Sequence, residues 1–358
     1  MKDLERISGK TKRMTLQNDV VPPSSQTENR PAVSAQFVTI TEEEAGQRID
    51  NYLLRVCKGV PKSHIYRILR SGEVRVNKGR IDQMYRLEAG DMVRIPPVRV
   101  AERQAGNAPV PGAEFDIVHE DSHLLVIDKP AGVAVHGGSG VSYGVIEQLR
   151  ASRPDAKFLE LVHRLDRETS GLLLLAKKRS ALTNLHEQMR DGKTDKRYLT
   201  LVSGDWRNPR QHVRLPLHKF TTPDGERRVV VQAGGMESHT VFNLLRKWQD
   251  FALLEAELKT GRTHQIRVHL ASSGFPIAGD EKYGDFALNK QLQKATDTRG
   301  ALRRMFLHAY QITFQHPETG KAMTLQAPLP AECERFLVSL GKPTVERPND
   351  NKAHSMRD

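Results

Sequence analysis

Cysteine is nearly absent from the chain. Its two cysteines, Cys57 and Cys333, stand far apart in sequence, so neither a disulfide framework nor a cysteine-based zinc site can be built from them. Long apolar runs are missing as well. No run approaches the ~18 residues of a membrane helix, and the N-terminus lacks the apolar core of a secretion signal. A cytoplasmic protein with no membrane association is expected. The Gly/Ser loop after His136 holds no Gly-Lys-Ser/Thr phosphate cradle, which gives nucleotide hydrolysis little support. His264 and His269 are five apart and do not share a helical face, so they are poor joint metal ligands. No metal is expected.

Basic residues are abundant. The 358 residues carry 55 Lys and Arg against 43 Asp and Glu, a net charge of +12. Such a balance suggests a polyanionic partner, nucleic acid before membrane. The length suffices for two domains with flexible ends. Residues 1–36 mix Lys, Arg, Asp, Ser, Gln, Asn and Pro without apolar periodicity and read as a disordered tail. Residues 341–358 read as a second one. Pro96 to Gly112 is rich in Pro, Ala, Arg and Gly and marks a boundary between a module at 47–108 and a larger domain at 115–336.

In the first module, Ile49, Leu53 and Val56 recur at helical spacing. Ser63 is placed to cap a second helix with Ile65, Ile68 and Leu69 inward and Lys62, Arg67 and Arg70 outward. The alternation from Glu73 to Ile81, turning at Asn77-Lys78-Gly79, predicts a hairpin. Solvated helix faces account for part of the basic surface, but the cations gather on the second helix and the strand after it, where they can follow a phosphate backbone. Gln47 to Asp50, Pro61-Lys62-Ser63, Gly72 to Lys78 and Leu87 to Asp91, in that order, resemble the S4 RNA-binding domain. The resemblance assigns RNA contacts to Lys62, Ser63, Arg67, Arg70, Arg75 and Asn77.

The larger domain reads as mixed α+β, rich in antiparallel strands. Leu124 to Asp128 is a buried strand broken by Lys129-Pro130-Ala131-Gly132. Leu172 to Ala176 is a second, entered through a tight Ser170-Gly171 turn, and Ser180 is placed to cap the helix that follows. Lys196 to Val202 alternates, with Tyr198 and Thr200 on one face. Glu237 to Trp248 and Phe251 to Lys259 read as a hairpin, and a helix follows from Thr260-Gly261 or Thr263 to Gly274. Before the Leu172 strand stands His163-Arg164-Leu165-Asp166-Arg167-Glu168. A carboxylate between two arginines, which favour its ionised form, suits catalysis on a loop fixed to a rigid strand. A surface turn with compensating charges has the same spacing, and spacing alone does not separate the two.

His163 to Leu172 resembles the signature of the RluA family of pseudouridine synthases. Lys129-Pro130-Ala131-Gly132, Lys196-Arg197-Tyr198, Gly261 to His269 and Gly279-Asp280 resemble its further motifs, in the family's order. The resemblance implies a pseudouridine synthase domain on a mixed, largely antiparallel sheet, following a small S4 domain. It implies an isomerase that converts uridine in RNA to pseudouridine without cofactor or metal. It makes Asp166 the catalytic aspartate, Arg267 its pairing arginine, Tyr198 the active-site tyrosine and Arg164 a residue that fills the space of a flipped nucleotide. Arg262 joins the RNA contacts, and Ile266 and Leu307 line the pocket or belong to the core. The implied partner is 23S ribosomal RNA or a large-subunit assembly intermediate, met by a monomer. A non-enzymatic RNA-binding or ribosome-assembly protein is the rival, since the S4 module and the charge support it as well. A glycoside hydrolase would want two carboxylates facing one bond, and no second acid with a matching motif is found.

Overall fold

The computed structural model describes residues 34–42, 44–57, 59–98, 110–138, 141–223, 225–294 and 300–347. Residues 1–33, 99–109 and 348–358, where most of the expected tails and linker fall, lie outside these. The chain divides near residue 102 into two compact units.

The first unit runs β1 (Gln36–Thr39), α1 (Ile49–Val56), α2 (Lys62–Arg70), β2 (Arg75–Val76), β3 (Gly79–Arg80) and β4 (Met92–Ile95). Its antiparallel sheet has the order β1-β4-β2-β3. The apolar faces of α1 and α2 supply Ile49, Leu53, Ile65, Ile68 and Leu69 to one buried cluster with Val74, Val76 and Val93. Asn77 (φ 49°) and Lys78 (φ 69°) form the two-residue turn between β2 and β3, the left-handed pair that matches the twist of hairpin strands. Two details differ from the sequence reading. The unit begins before residue 47, because β1 adds to the edge of β4 and brings Ile40, 2% exposed, into the core. Ser63 does not cap α2: the helix starts at Lys62, and Pro61, with its fixed φ, stands at the cap position.

The second unit runs β5 (Asp116–Glu120), β6 (Leu124–Lys129), α3 (Val145–Ser152), β7 (Glu160–Leu161), β8 (Ser170–Ala176), α4 (Arg179–Arg190), β9 (Asp195–Ser203), β10 (Arg210–Val213), β11 (Leu217–Thr221) and β12 (Arg227–Val231). It continues with β13 (Thr240–Lys247), β14 (Phe251–Leu258), α5 (Gln265–Ser272), α6 (Phe286–Lys294), β15 (Leu307–Gln315), β16 (Ala322–Gln326), α7 (Ala331–Ser339) and β17 (Val345–Glu346). The main sheet has the order β10-β13-β14-β9-β15-β8-β6-β5, with β16 on β15, β17 on β13 and β7 on β8. All its pairings are antiparallel except β15 with β8. β11 and β12 form a separate two-stranded hairpin.

Ser170 and Gly171 are not a turn before the strand but its first two residues, and every residue of β8 is buried. Gly171 (φ 111°) lies where β8 crosses β15, and a Cβ there would stand 2.3 Å from the Ala309 carbonyl oxygen. Glycine therefore permits the one parallel contact of the sheet. Ser180 does not cap α4, which starts one residue earlier and has no side-chain cap. The expected tail after Gly341 begins with ordered residues instead. β17 covers the part of β13 that β10 leaves open, Thr344 N–H donates to the Lys247 carbonyl at 2.7 Å, and Arg246 pairs with Glu346 at 2.9 Å. A strand edge left unpaired invites such cover.

Candidate active site

Asp166 sits on the loop between β7 and β8, and buried contacts fix that loop from below. His163 accepts the Leu174 N–H at its Nε2 (3.2 Å), and His186 Nε2 reaches the Val162 carbonyl (2.9 Å). Burial, with the Lys196 charge adding to it, drives His163 down to about 3, so the ring is neutral and serves as an acceptor. From the other side comes Lys129, fully buried at the end of β6. Its ammonium donates to the carbonyls of Pro130 (2.7 Å), Val133 (2.9 Å) and Arg167 (3.1 Å). Gly132 N–H meets the same Arg167 carbonyl at 2.9 Å. The Lys-Pro-Ala-Gly break after β6 is thus a clamp on the residue next to Asp166.

The guanidinium of Arg267, on α5, faces that carboxylate. Its Nη1 donates to Asp166 Oδ2 at 3.1 Å, while Nε and Nη2 each meet a carboxylate oxygen of Asp280 at 2.8 Å. Asp280, 1% exposed, also accepts the backbone N–H groups of Lys282 (2.8 Å) and Tyr283 (3.1 Å). Burial opposes charge on both partners. The fork-to-fork pairing more than offsets it, holding Arg267 above its ordinary range and Asp280 below the ordinary carboxylate range. Gly279 (φ 79°) allows the close approach: a Cβ there would lie 2.1 Å from the Arg304 carbonyl oxygen. The start of α5 is set by Gln265, which accepts the Arg262 N–H at 3.0 Å and donates to the His239 carbonyl at 3.0 Å.

Arg167 turns away and pairs with Glu168 at 2.9 Å. Asp166 Oδ1 has no hydrogen bond among the described residues, and the side chain is 24% exposed, so one oxygen is held and the other open. Tyr198 stands on β9, 7% exposed. Burial, reinforced by the Asp166 charge, pushes its hydroxyl above the ordinary phenol range and keeps it protonated. The face of β9 that carries Tyr198 is therefore the one that senses Asp166.

A family model described as RNA pseudouridylate synthase matches residues 123–272, and an S4 domain model matches residues 47–93. Ribosomal large subunit pseudouridine synthase C of Pasteurella multocida (strain Pm70) is 53% identical over 86% of this chain and 94% of its own length. The protein of the same name from Escherichia coli (strain K12) is 53% identical over 86% of this chain and 97% of its own. The chain belongs to the RNA pseudouridylate synthase family. The solved structure of human RNA pseudouridylate synthase domain containing 1 shares its fold, with a TM-score of 0.53 at 24% identity over 69% of this chain and 97% of that one. This pseudouridine synthase is accordingly an isomerase, with an S4 domain ahead of its catalytic domain.

The remaining sequence-derived residues of the synthase fall in three groups. Arg164 is exposed on the Asp166 loop. Ile266 (5%) and Leu307 (3%) belong to the main apolar core. Arg262 bonds the Glu237 carbonyl at 3.1 Å. In the S4 unit Lys62, Ser63, Arg67, Arg70 and Arg75 are exposed. The Asn77 side chain is engaged internally, donating to Asp91 (2.7 Å) and accepting the Met92 N–H (2.9 Å). Two arginines were missed. Register places Arg80 and Arg94 on either side of Arg75 across β3, β2 and β4, and like charges opposed on adjacent strands are unfavourable without an anion. Asp280 belongs to the Gly279-Asp280 motif, and nothing in the sequence around it points to its bidentate partner, Arg267.

Proposed function

We propose that this enzyme isomerises uridines of large-subunit (23S) ribosomal RNA, as a cytoplasmic monomer, with Asp166 as the catalytic carboxylate. The half-held state of Asp166 carries the reading: Arg267 fixes Oδ2 and leaves Oδ1 free toward the substrate. The reaction breaks the bond from uracil N1 to the sugar C1′, turns the base, joins C5 to C1′ and releases the C5 proton. Oδ1 acts at the sugar. Tyr198, protonated and buried, offers a ring for the base to stack on and a hydroxyl near C5. Arg164 enters the space of the extruded nucleotide and offsets part of the few kcal/mol of lost stacking. The exposed arginines of the S4 unit follow the phosphate backbone. The large-subunit names of relatives 53% identical to this chain support the RNA assignment.

Because the C5 proton is lost, tritium released from a large-subunit transcript carrying 5-tritiated uridine counts turnovers. Asp166→Asn should give no release above background while binding the transcript within about twofold of wild type. Release at the wild-type rate would remove Asp166 from the mechanism, and a wild type that releases none from this transcript would overturn the substrate.

A further inference from the structure

His264 immediately precedes α5 with a left-handed backbone, φ 53° and ψ 19°, a conformation uncommon for a residue with a side chain and concentrated at functional sites. Its ring is mostly buried, bonded through one nitrogen and aimed at Asp166 with the other. Nδ1 lies 2.8 Å from the Tyr283 hydroxyl, and Nε2 lies 3.9 Å from Asp166 Oδ2. The Tyr283 oxygen also accepts the backbone N–H of Val229 on β12, at 3.0 Å. Its ring lies under Arg267, 5.1 Å from the guanidinium carbon, and packs with Leu217, Val229 and Val268 in a small cluster between the β11–β12 hairpin and α5. Lys282 ties the same strand again through the Arg227 carbonyl (2.7 Å) and Glu226 (2.8 Å).

We propose that His264 is a positioning residue for Asp166, oriented by Tyr283 and through it by the backbone of the β11–β12 hairpin. Proton counting supports the direction of this chain. The Tyr283 oxygen accepts from Val229, and among the described residues its hydroxyl proton has no acceptor other than His264 Nδ1. Donation there satisfies it and leaves the imidazole's own proton on Nε2, facing Asp166. Burial keeps the ring below the ordinary imidazole range, despite the Asp166 charge, and keeps the Tyr283 hydroxyl above the ordinary phenol range, so both groups are in the required form at neutral pH. The 3.9 Å gap is one that a small movement of the hairpin closes. RNA seated on the hairpin, whose His218, Lys219 and Arg227 are exposed, would then set the carboxylate against the sugar.

This inference rests on the proposed role of Asp166 on large-subunit RNA, and the same tritium-release assay separates the two. His264→Asn preserves the left-handed backbone, which Asn tolerates, but its amide is too short to replace Nε2. Tyr283→Phe keeps the ring on Arg267 and removes the hydroxyl. Each should lower kcat roughly ten- to a hundredfold, the scale of a small misplacement of a reacting group, with KM for the transcript within about threefold. The double variant should be no slower than the slower single one, because both cut one chain. Wild-type kcat in His264→Asn, a loss confined to KM, or losses that multiply in the double variant would each overturn the proposal. A wild type inactive on this transcript would overturn the large-subunit substrate reading and this inference with it.

Discussion

Arg267 serves two acids, and its bonds to them differ. The bidentate bond to Asp280 is buried, and the single bond to Asp166 reaches the surface of the site. Asp280 therefore holds the guanidinium still while Asp166 remains free to act. Asp280→Ala would leave a buried guanidinium without its main partner, a loss of about 3–5 kcal/mol. Chemical denaturation should show that drop, and activity at a temperature where the variant is still folded should fall too. Asp280→Asn, which keeps the shape but removes the charge, should lose less stability and most of the activity. At this scale the sequence was partly legible. The pairing of Asp166 with Arg267, rather than with its neighbour Arg167, follows from the motif resemblance and agrees with the geometry. The partner behind Arg267 was hidden, since a Gly-Asp pair in a polar turn has the same appearance whether its carboxylate faces solvent or a buried arginine. His264 stood out in the sequence only as a poor partner for a metal with His269, because spacing along a chain does not reveal a left-handed backbone.

At the scale of elements, the loop of Asp166 is held by the break after β6 and by the crossing of β8 with β15. Burial lowers Lys129 to about 7 against an ordinary 10.5, with Glu168 the strongest charge opposing the shift. The sign follows from proton binding. Between those values the unfolded chain holds a proton that the folded one lacks, so this lysine's contribution to stability rises with pH across the window. Below about 7 the cost of its buried charge is fully present. Measured by denaturation, wild type should gain on the order of 2 kcal/mol relative to Lys129→Met between pH 7 and 9. At pH 7 the variant should still lose activity, because the Pro130 and Val133 carbonyls lose this donor, at about 1–3 kcal/mol each, and the Arg167 carbonyl beside Asp166 keeps only Gly132 N–H. Equal pH slopes in the two proteins would show that the lysine does not titrate as its burial requires. Gly171→Ala tests the other support. With φ at 111° and a backbone oxygen 2.3 Å from the new carbon, β8 and β15 must part, and the variant should fail to accumulate as folded protein. The strands themselves were legible from their apolar runs. The parallel contact was not, because it joins residues 138 positions apart through a glycine that reads locally as a turn.

Across the whole molecule, the charge of +12 is not spread evenly. Many catalytic-domain arginines are engaged, Arg197 with Asp195 and Glu255, Arg153 with Glu120, Arg267 with Asp280, whereas Arg67, Arg70, Arg75 and Arg80 of the S4 unit are exposed and have no ion pair among the described residues. Composition predicted a polyanion partner but not where the free charge would lie, since pairing is decided by the fold. Arg75, Arg80 and Arg94 stand side by side across three strands, an arrangement that repels itself until an anion arrives. If each neutralises one phosphate, replacing all three with Gln should reduce the slope of log affinity against log salt by about 2–3, at roughly 0.7–0.9 per phosphate. Filter binding of a large-subunit transcript over a range of salt concentrations measures that slope. Tritium release with transcript in excess should stay near wild type, because the site around Asp166 is intact. An unchanged slope would place the RNA track elsewhere on the protein. A flatter slope accompanied by lost turnover at saturating RNA would mean that the S4 arginines also help present the uridine, beyond holding the strand.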